Sequence, residues 1–450
     1  MYHKILIANR GEIAVRIIRA CREMGIATVA VYSTADKEAL HTQLADEAVC
    51  IGEAASKDSY LNVERIISAA IATKAEAIHP GFGFLSENAK FAEVCTKCGL
   101  EFIGPPAEVI SKMGDKAMAR DTMTKAQVPV TPGSKEPVFY ADKALLVAKE
   151  IGFPVMIKAA YGGGGKGMRV ALDEAEFESQ FLIAQTEAKN GFGNGTMYIE
   201  KYITNPKHVE MQLLCDKFGN VAVFPERDCS VQRNHQKMIE ESPSPAVKDS
   251  LRKKMASAAA KAAKAVGYVG AGTIEFLLND NGEFYFMEMN TRIQVEHPVT
   301  EMVSGVDLIK EMIRISAGEK LSVDKNSYIP KGHAIECRIN AENPQNGFRP
   351  SPGKIDQLHL PGGFNIRVDS AMYPGCEVSP YYDSMIAKLI VKADNREDAI
   401  DKMLSALGEV IIEGVDTNID FQYDILSHPV FRNGYVTTDF IKQHFSDYIK

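Results

Sequence analysis

Apolar positions near the start of the chain alternate between two periods. Lys4-Ile5-Leu6-Ile7-Ala8-Asn9 is a short apolar run that reads as a buried strand. Ile13, Ile17, Ala20, Cys21 and Met24 then recur at helical spacing, so a helix is expected over residues 13–24, stopped by Gly25. Residues 28–32 read as the next strand, and Ala77-Ile78-His79 and Phe102-Ile103-Gly104 continue the alternation up to Pro105-Pro106. A β-α-β start of this kind predicts a parallel sheet. Its first turn, Asn9-Arg10-Gly11-Glu12, lacks the glycine spacing of a dinucleotide site, which turns the reading from an NAD-dependent oxidoreductase towards scaffold.

The pattern then changes. Residues 115–330 combine a glycine-rich loop between apolar runs, an Ala/Lys-rich helix expected over 252–266 as a solvated helix with one small-residue face, and a hairpin whose strands end in acids. From about residue 331, short strands are separated by Pro/Gly turns such as Pro352-Gly353, Pro361-Gly362-Gly363 and Pro374-Gly375, and helical segments close the chain. The expected domains are therefore 1–114, 115–330 and 331–450, a multidomain chain of mixed α/β and α+β class.

Composition adds mainly exclusions. At 450 residues, 45% hydrophobic and 24% charged, the chain has a globular composition. No run of about 18 apolar residues is present, and the N-terminus lacks the basic, apolar and cleavage segments of a signal peptide, so a cytoplasmic protein without membrane association is expected. A net charge of −8 argues against nucleic-acid binding by phosphate neutralisation. Eight cysteines are scattered; the Cys95/Cys98 pair has no second pair or histidine cluster to complete a zinc site and reads as free thiols on a helix.

Three segments carry candidate chemistry. In Val155-Met156-Ile157-Lys158-Ala159-Ala160-Tyr161-Gly162-Gly163-Gly164-Gly165-Lys166-Gly167, consecutive glycines let backbone N–H groups converge on an anion, and apolar runs on both sides predict a hairpin flap over phosphates. Lys158, within an apolar strand, needs an anionic partner or an edge position. In the second segment, residues 273–278 and 283–288 flank Asn279-Asp280-Asn281-Gly282. Asn281-Gly282 as a two-residue turn would pair Asp280 with Glu283 and set Glu275 opposite Glu288. Two carboxylates so placed repel unless a divalent cation lies between them, and Asn290 falls on the same face; oxygen donors of this kind suit Mg²⁺ or Mn²⁺ bridging nucleotide phosphates. Immediately after, Arg292 and Glu296 could hold an oxyanion and remove its proton. His79 and His297, each preceding a proline, read as structural.

Taken together, these strings resemble the ATP-grasp superfamily and, within it, biotin carboxylase. The likeness runs through residues 4–14, His79-Pro80-Gly81-Phe82-Gly83-Phe84-Leu85-Ser86-Glu87-Asn88, the glycine loop, residues 288–297, Ile335-Glu336-Cys337-Arg338-Ile339-Asn340 and Tyr382-Asp383-Ser384-Met385-Ile386-Ala387-Lys388, nearly the whole chain. Lys166 stands where many relatives have Arg, keeping the charge. The resemblance implies an N-terminal β-α-β domain, a central ATP-grasp domain with a flap over about residues 131–203, and a C-terminal biotin carboxylase domain. It implies ATP contacts at Lys116, Lys158, Gly163, Gly164, Gly165 and Lys166, an adenine hinge at Glu200, Lys201 and Ile203, and further nucleotide contacts at His208, Gln232, His235 and Leu277. It assigns Glu275, Glu288 and Asn290 to the metal, and Lys237, Arg292, Gln294 and Val295 to bicarbonate. Glu296 becomes the base for bicarbonate and Arg338 the partner of the biotin enolate.

No Met-Lys-Met attachment sequence occurs, so biotin is expected on a separate carrier protein, with carboxyltransferase subunits as further partners and a homodimer as the usual state. Acetyl-CoA is the default final acceptor, which would place the reaction in fatty-acid synthesis; pyruvate and propionyl-CoA carboxylases use similar chains. An ATP-grasp carboxylate–amine ligase is the competing enzyme, disfavoured by Arg338 and residues 382–385. A nucleotide-binding regulator without catalysis is disfavoured by Arg292, Glu296 and the acidic pair.

Overall fold

The computed structural model describes residues 1–448 apart from 135, 161–166 and 324–326. The first sheet comprises β1 (Lys4–Ile7), β2 (Ala27–Ser33), β3 (Glu47–Gly52), β4 (Ala77–His79) and β5 (Glu101–Phe102). They lie in the order β3-β2-β1-β4-β5, all parallel, with helix Gly11–Glu23 after β1. That helix buries Ile13, Ile17, Ala20 and Cys21 of the stripe its spacing predicted, while Met24, the fifth member, sits half-buried just past the helix end. Cys95 and Cys98 are free, at the end of helix Ala89–Lys97.

A three-stranded antiparallel sheet follows: β6 (Val155–Ala159), β7 (Met168–Ala171) and β8 (Met197–Lys201), with β6 in the centre. Lys158 is therefore on no edge strand. The expected phosphate contacts at glycines 163–165 and Lys166, between β6 and β7 in the sequence, lie outside the described residues.

The large sheet is antiparallel throughout. Its strands are β9 (Lys207–Cys215), β10 (Val221–Arg233), β11 (Gln236–Ser242), β12 (Gly270–Leu278), β13 (Phe284–Asn290), β14 (His333–Asn340), β15 (Ile366–Ser370) and β16 (Met385–Ala393). The order is β13-β12-β9-β10-β11-β14-β16-β15, so it runs without a break across residue 330. All nine residues of β9 are buried because both faces are covered. Val209, Met211 and Leu213 pack with Met255, Ala259 and Ala262 of helix Asp249–Val266, whose small-residue face is buried against the sheet. The alternate residues His208, Glu210 and Gln212 face the other way, into the site. Ile13 and Ile17 share a core with Leu214, Phe224, Ile293 and Ile309, which seats the N-terminal helix on the large sheet.

The β12–β13 hairpin departs from the expected turn. Asn279 and Glu283 close a three-residue loop with Gly282 at φ +79°, so Leu278 faces Phe284, one residue off the two-residue register. A bulge between Glu275 and Phe276 absorbs Met287 and restores the pairing of Glu275 with Glu288. The pairing was reached by a count in which the bulge cancels the turn. The two-residue turn sits one hairpin earlier: Asn234 and His235, both at positive φ, join β10 to β11.

Candidate active site

Cross-strand neighbours lay a row of charge over four strands of the large sheet: Glu288 beside Glu275, Glu275 beside Glu210, Glu210 beside Arg227. Lys237 on β11 reaches into this row. Its ammonium donates to Glu210 Oε2 at 2.7 Å, Glu275 Oε1 at 2.9 Å and Glu296 Oε1 at 2.7 Å. Burial opposes these charges, but Lys237 and Arg227 outweigh it and hold the Glu210 carboxyl well below the usual range. Against the same burial, Lys237 and His208 do so for Glu275. Burial also disfavours protonation of His208, yet Glu275, 3.0 Å from its Nε2, raises it to about 9, so the ring is an imidazolium at neutral pH.

Arg227 is fully buried and spends every N–H donor. Nε bonds Glu210 Oε1 at 2.5 Å, Nη1 bonds Gln212 and Thr300 at 2.9 Å each, and Nη2 bonds Thr273 at 3.1 Å and Gln294 at 2.7 Å. The Gln294 side chain, oriented by that bond, donates to Glu275 Oε1 at 2.8 Å. Asn290 donates to the same oxygen at 2.9 Å. Burial and then the facing Glu275 push the Glu288 carboxyl upward. That charge strain between opposed carboxylates, with an amide oxygen beside them, fits a hard divalent cation held by Glu275, Glu288 and Asn290.

Glu296 ends the segment after β13 and caps helix His297–Ser304. Its second oxygen accepts from Arg338 Nη2 at 2.8 Å, while Arg338 Nε donates to Glu240 at 2.6 Å. Burial would raise the Glu296 carboxyl, but Lys237 leads the groups that lower it, so it is ionised. Glu240 goes the other way: burial exceeds the help from Arg338 and brings it to about 7. Arg292 donates to Glu87 at 2.7 Å and to Asn290 Oδ1 at 3.2 Å. His297 is buried with Nδ1 2.8 Å from Gln294 O, and His79 is buried, its imidazolium disfavoured by desolvation to about 3.

Lys237, His208, Glu275, Glu288, Asn290, Arg292, Gln294, Glu296 and Arg338 line one open cleft of about 1850 Å³, with Glu210 and Arg227 buried behind its wall. Every expected site residue among the described ones lines it: Lys116, Lys158, Glu200, Lys201, Ile203, His208, Gln232, His235, Lys237, Glu275, Leu277, Glu288, Asn290, Arg292, Gln294, Val295, Glu296 and Arg338. Lys158 is ion-paired with Glu200, which Arg120 also approaches at 3.5 Å. The Lys201 ammonium is tied to the carbonyls of Gly152 and Phe153 and its N–H to Pro132 O at 2.7 Å, so its side chain is not free for a ligand. Sequence reasoning passed over Glu210 and Arg227. The polar alternation His208-Glu210-Gln212, in a strand neighbouring Glu275, was the available signal for the first.

Fold and site together put the chain in the class of ATP-dependent ligases. Three family models match it: "Biotin carboxylase, N-terminal domain" over residues 1–110, "Carbamoyl-phosphate synthase L chain, ATP binding domain" over 115–324, and "Biotin carboxylase C-terminal domain" over 336–443. A biotin carboxylase of Nostoc sp. is 57% identical over 98% of this chain and 99% of its own. The Campylobacter jejuni biotin carboxylase–β,γ-ATP complex superposes with TM-score 0.91 at 50% identity, covering 99% of each chain. The biotin carboxylase domain dimer of Hydrogenobacter thermophilus 2-oxoglutarate carboxylase, in complex with MgADP, ADP and bicarbonate, does so with TM-score 0.90 at 50% identity, covering 100% of this chain and 99% of that one. The chain belongs to the biotin carboxylase family. Among the described residues no helix is long and apolar enough to cross a membrane.

Proposed function

We propose that the cleft activates bicarbonate with ATP and transfers the carboxyl group to biotin presented by a separate carrier protein. The observation that carries this reading is the sharing of Glu296 between two cations at the cleft wall, Lys237 at 2.7 Å and Arg338 at 2.8 Å. A base there is ionised before substrate arrives. Bicarbonate drawn to Lys237, Arg292, Gln294 and Val295 competes for Lys237, which withdraws part of the stabilisation of the Glu296 carboxylate and makes it more basic. Glu296 then takes the bicarbonate proton, the oxyanion attacks the γ-phosphorus, and ADP leaves with formation of carboxyphosphate. Lys116 and Lys158 serve the phosphates, as does the 163–166 segment by the family resemblance, and Glu200, Lys201, Ile203, His208, Gln232, His235 and Leu277 hold the nucleoside. A divalent cation on Glu275, Glu288 and Asn290 would offset the phosphate charge. Decomposition of carboxyphosphate supplies CO₂ beside biotin and a phosphate that accepts the ureido proton. Arg338 stands opposite the resulting enolate.

Acetyl-CoA is the proposed final acceptor, through carboxyltransferase partners and a homodimer of this chain. The Nostoc relative, matched over nearly its full length and described as biotin carboxylase, supports a freestanding subunit. The 2-oxoglutarate carboxylase relative supports a different acceptor as the second reading. Release of ADP from Mg-ATP and bicarbonate, stimulated by free biotin, tests the half-reaction; turnover that ignores biotin and responds to an amine refutes it. Reconstitution with carrier and carboxyltransferase subunits, assayed for malonyl-CoA against oxalosuccinate, separates the acceptors.

A further inference from the structure

Two of the strings that resemble the family, residues 4–14 and 382–388, carry charged residues that do not line the cleft, Glu12 and Lys388. Lys388 lies in β16 with Arg338 as its cross-strand partner, and it is fully buried. An ammonium in such a place is costly unless it is paired and hydrogen-bonded. Its Nζ lies 3.0 Å from Glu12 Oε1, at the start of the N-terminal helix, and 3.9 Å from Asp369 Oδ2 on β15. Among the described residues its one hydrogen bond to backbone goes to Val295 O at 2.9 Å. One side chain thus ties the N-terminal domain, the C-terminal strands and the segment 291–296 that carries Arg292, Gln294 and Glu296.

The Val295 carbonyl shares a planar trans peptide with the Glu296 N–H, so fixing the oxygen fixes the plane from which the Glu296 side chain departs. The preceding carbonyl, Gln294 O, is held by His297 on both its ring and its N–H. Glu296 is held from the cleft side only through its carboxylate. We propose that Lys388, set by Glu12, is the positioning residue of the bicarbonate pocket: it holds the Val295–Glu296 peptide in the orientation that binds bicarbonate and aims Glu296 at its proton. This rests on the reading of Val295 and Glu296 as bicarbonate residues. Burial disfavours the Lys388 ammonium, but Glu12, Glu336 and Asp369 raise its pKa overall, so it donates as a cation at neutral pH.

The test compares the full-length wild-type chain with Lys388→Met, Lys388→Arg and the double variant Lys388→Met/Glu12→Gln, measuring KM for bicarbonate, KM for ATP and thermal unfolding. Displacing a binding group by about an ångström can cost on the order of a hundredfold. Lys388→Met is expected to raise KM for bicarbonate about ten- to a hundredfold with KM for ATP within about twofold, and Lys388→Arg to recover part of it. Lys388→Met also leaves Glu12 buried and unpaired, so it lowers the melting temperature. The double variant removes that carboxylate and is expected to regain thermal stability while KM for bicarbonate stays high. Recovery of both together, or an unchanged KM for bicarbonate in Lys388→Met, overturns the proposal and leaves Lys388 a packing residue. A wild-type chain without bicarbonate-dependent turnover overturns the functional reading itself, and the proposal with it.

Discussion

Replacing Arg227 by methionine keeps most of the side chain's length and removes five donors from the centre of the site. Glu210 retains Lys237 on its other oxygen but loses the bond from Nε, a charge-assisted bond contributing about 1.5–3 kcal/mol. The carbonyl oxygens of Gln212 and Gln294 each lose their Arg227 donor, at about 1–3 kcal/mol per buried orphan. The two threonine hydroxyls can rotate and are left out. The sum is roughly 4–9 kcal/mol, around the 3–5 kcal/mol typical of breaking a buried ion pair and a large part of a whole domain's stability. With about 2–4 °C per kcal/mol for a domain of 150–250 residues, calorimetry should find the melting temperature lowered by at least about 8 °C. Adding Glu210→Gln should restore part of that loss, because the under-paired carboxylate is gone. A shift below about 2 °C in the single variant, or a further fall in the double, would refute the account of Arg227 as the centre of a net stabilising network.

Glu288→Ala should raise KM for Mg-ATP about tenfold or more, at least the loss usual for a residue that only supports a metal ligand, while chelation abolishes turnover; an unchanged KM would remove Glu288 from the metal site. Glu241 is buried, yet His333 at 2.8 Å and Arg396 at 2.6 Å draw its carboxyl down to about 2. A depressed carboxyl stabilises the fold above its unfolded pKa and loses that contribution as pH falls, here about 3 kcal/mol between roughly pH 4.5 and 2. Acid unfolding of Glu241→Gln should therefore be less steep across that window, and an equal slope contradicts the pairing. Gly414 has φ +103°, and a Cβ there would lie 2.0 Å from Lys354 O, so Gly414→Ala should lower thermal stability without altering either KM.

Much of this was legible because periodicity and chemistry coincided. The stripe Ile13, Ile17, Ala20 and Cys21 is a helix face, and the opposed Glu275 and Glu288 were found by counting from the turn. The count succeeded because the bulge at Met287 offsets a loop one residue longer than Asn-Gly suggests; bulges leave no mark in composition. Arg227, and its pairing with Glu210, were not legible for a related reason. The role of Arg227 depends on partners 17 residues away at Glu210 and 67 away at Gln294, a register that no local pattern encodes. Lys388 is more remote still, 93 residues from the carbonyl it holds. The alternation His208-Glu210-Gln212 was readable and would have placed a third carboxylate beside the acidic pair.

The division of labour between Glu296 and Arg338 is the centre of the account, and ADP release with and without free biotin tests it most directly. Glu296→Gln should lose bicarbonate-dependent ADP release by about 10²–10⁴-fold under both conditions. Arg338→Ala should keep the slow release seen without biotin and lose the stimulation by biotin. Loss of both activities to the same degree in the two variants, or full stimulation by biotin in Arg338→Ala, would contradict it.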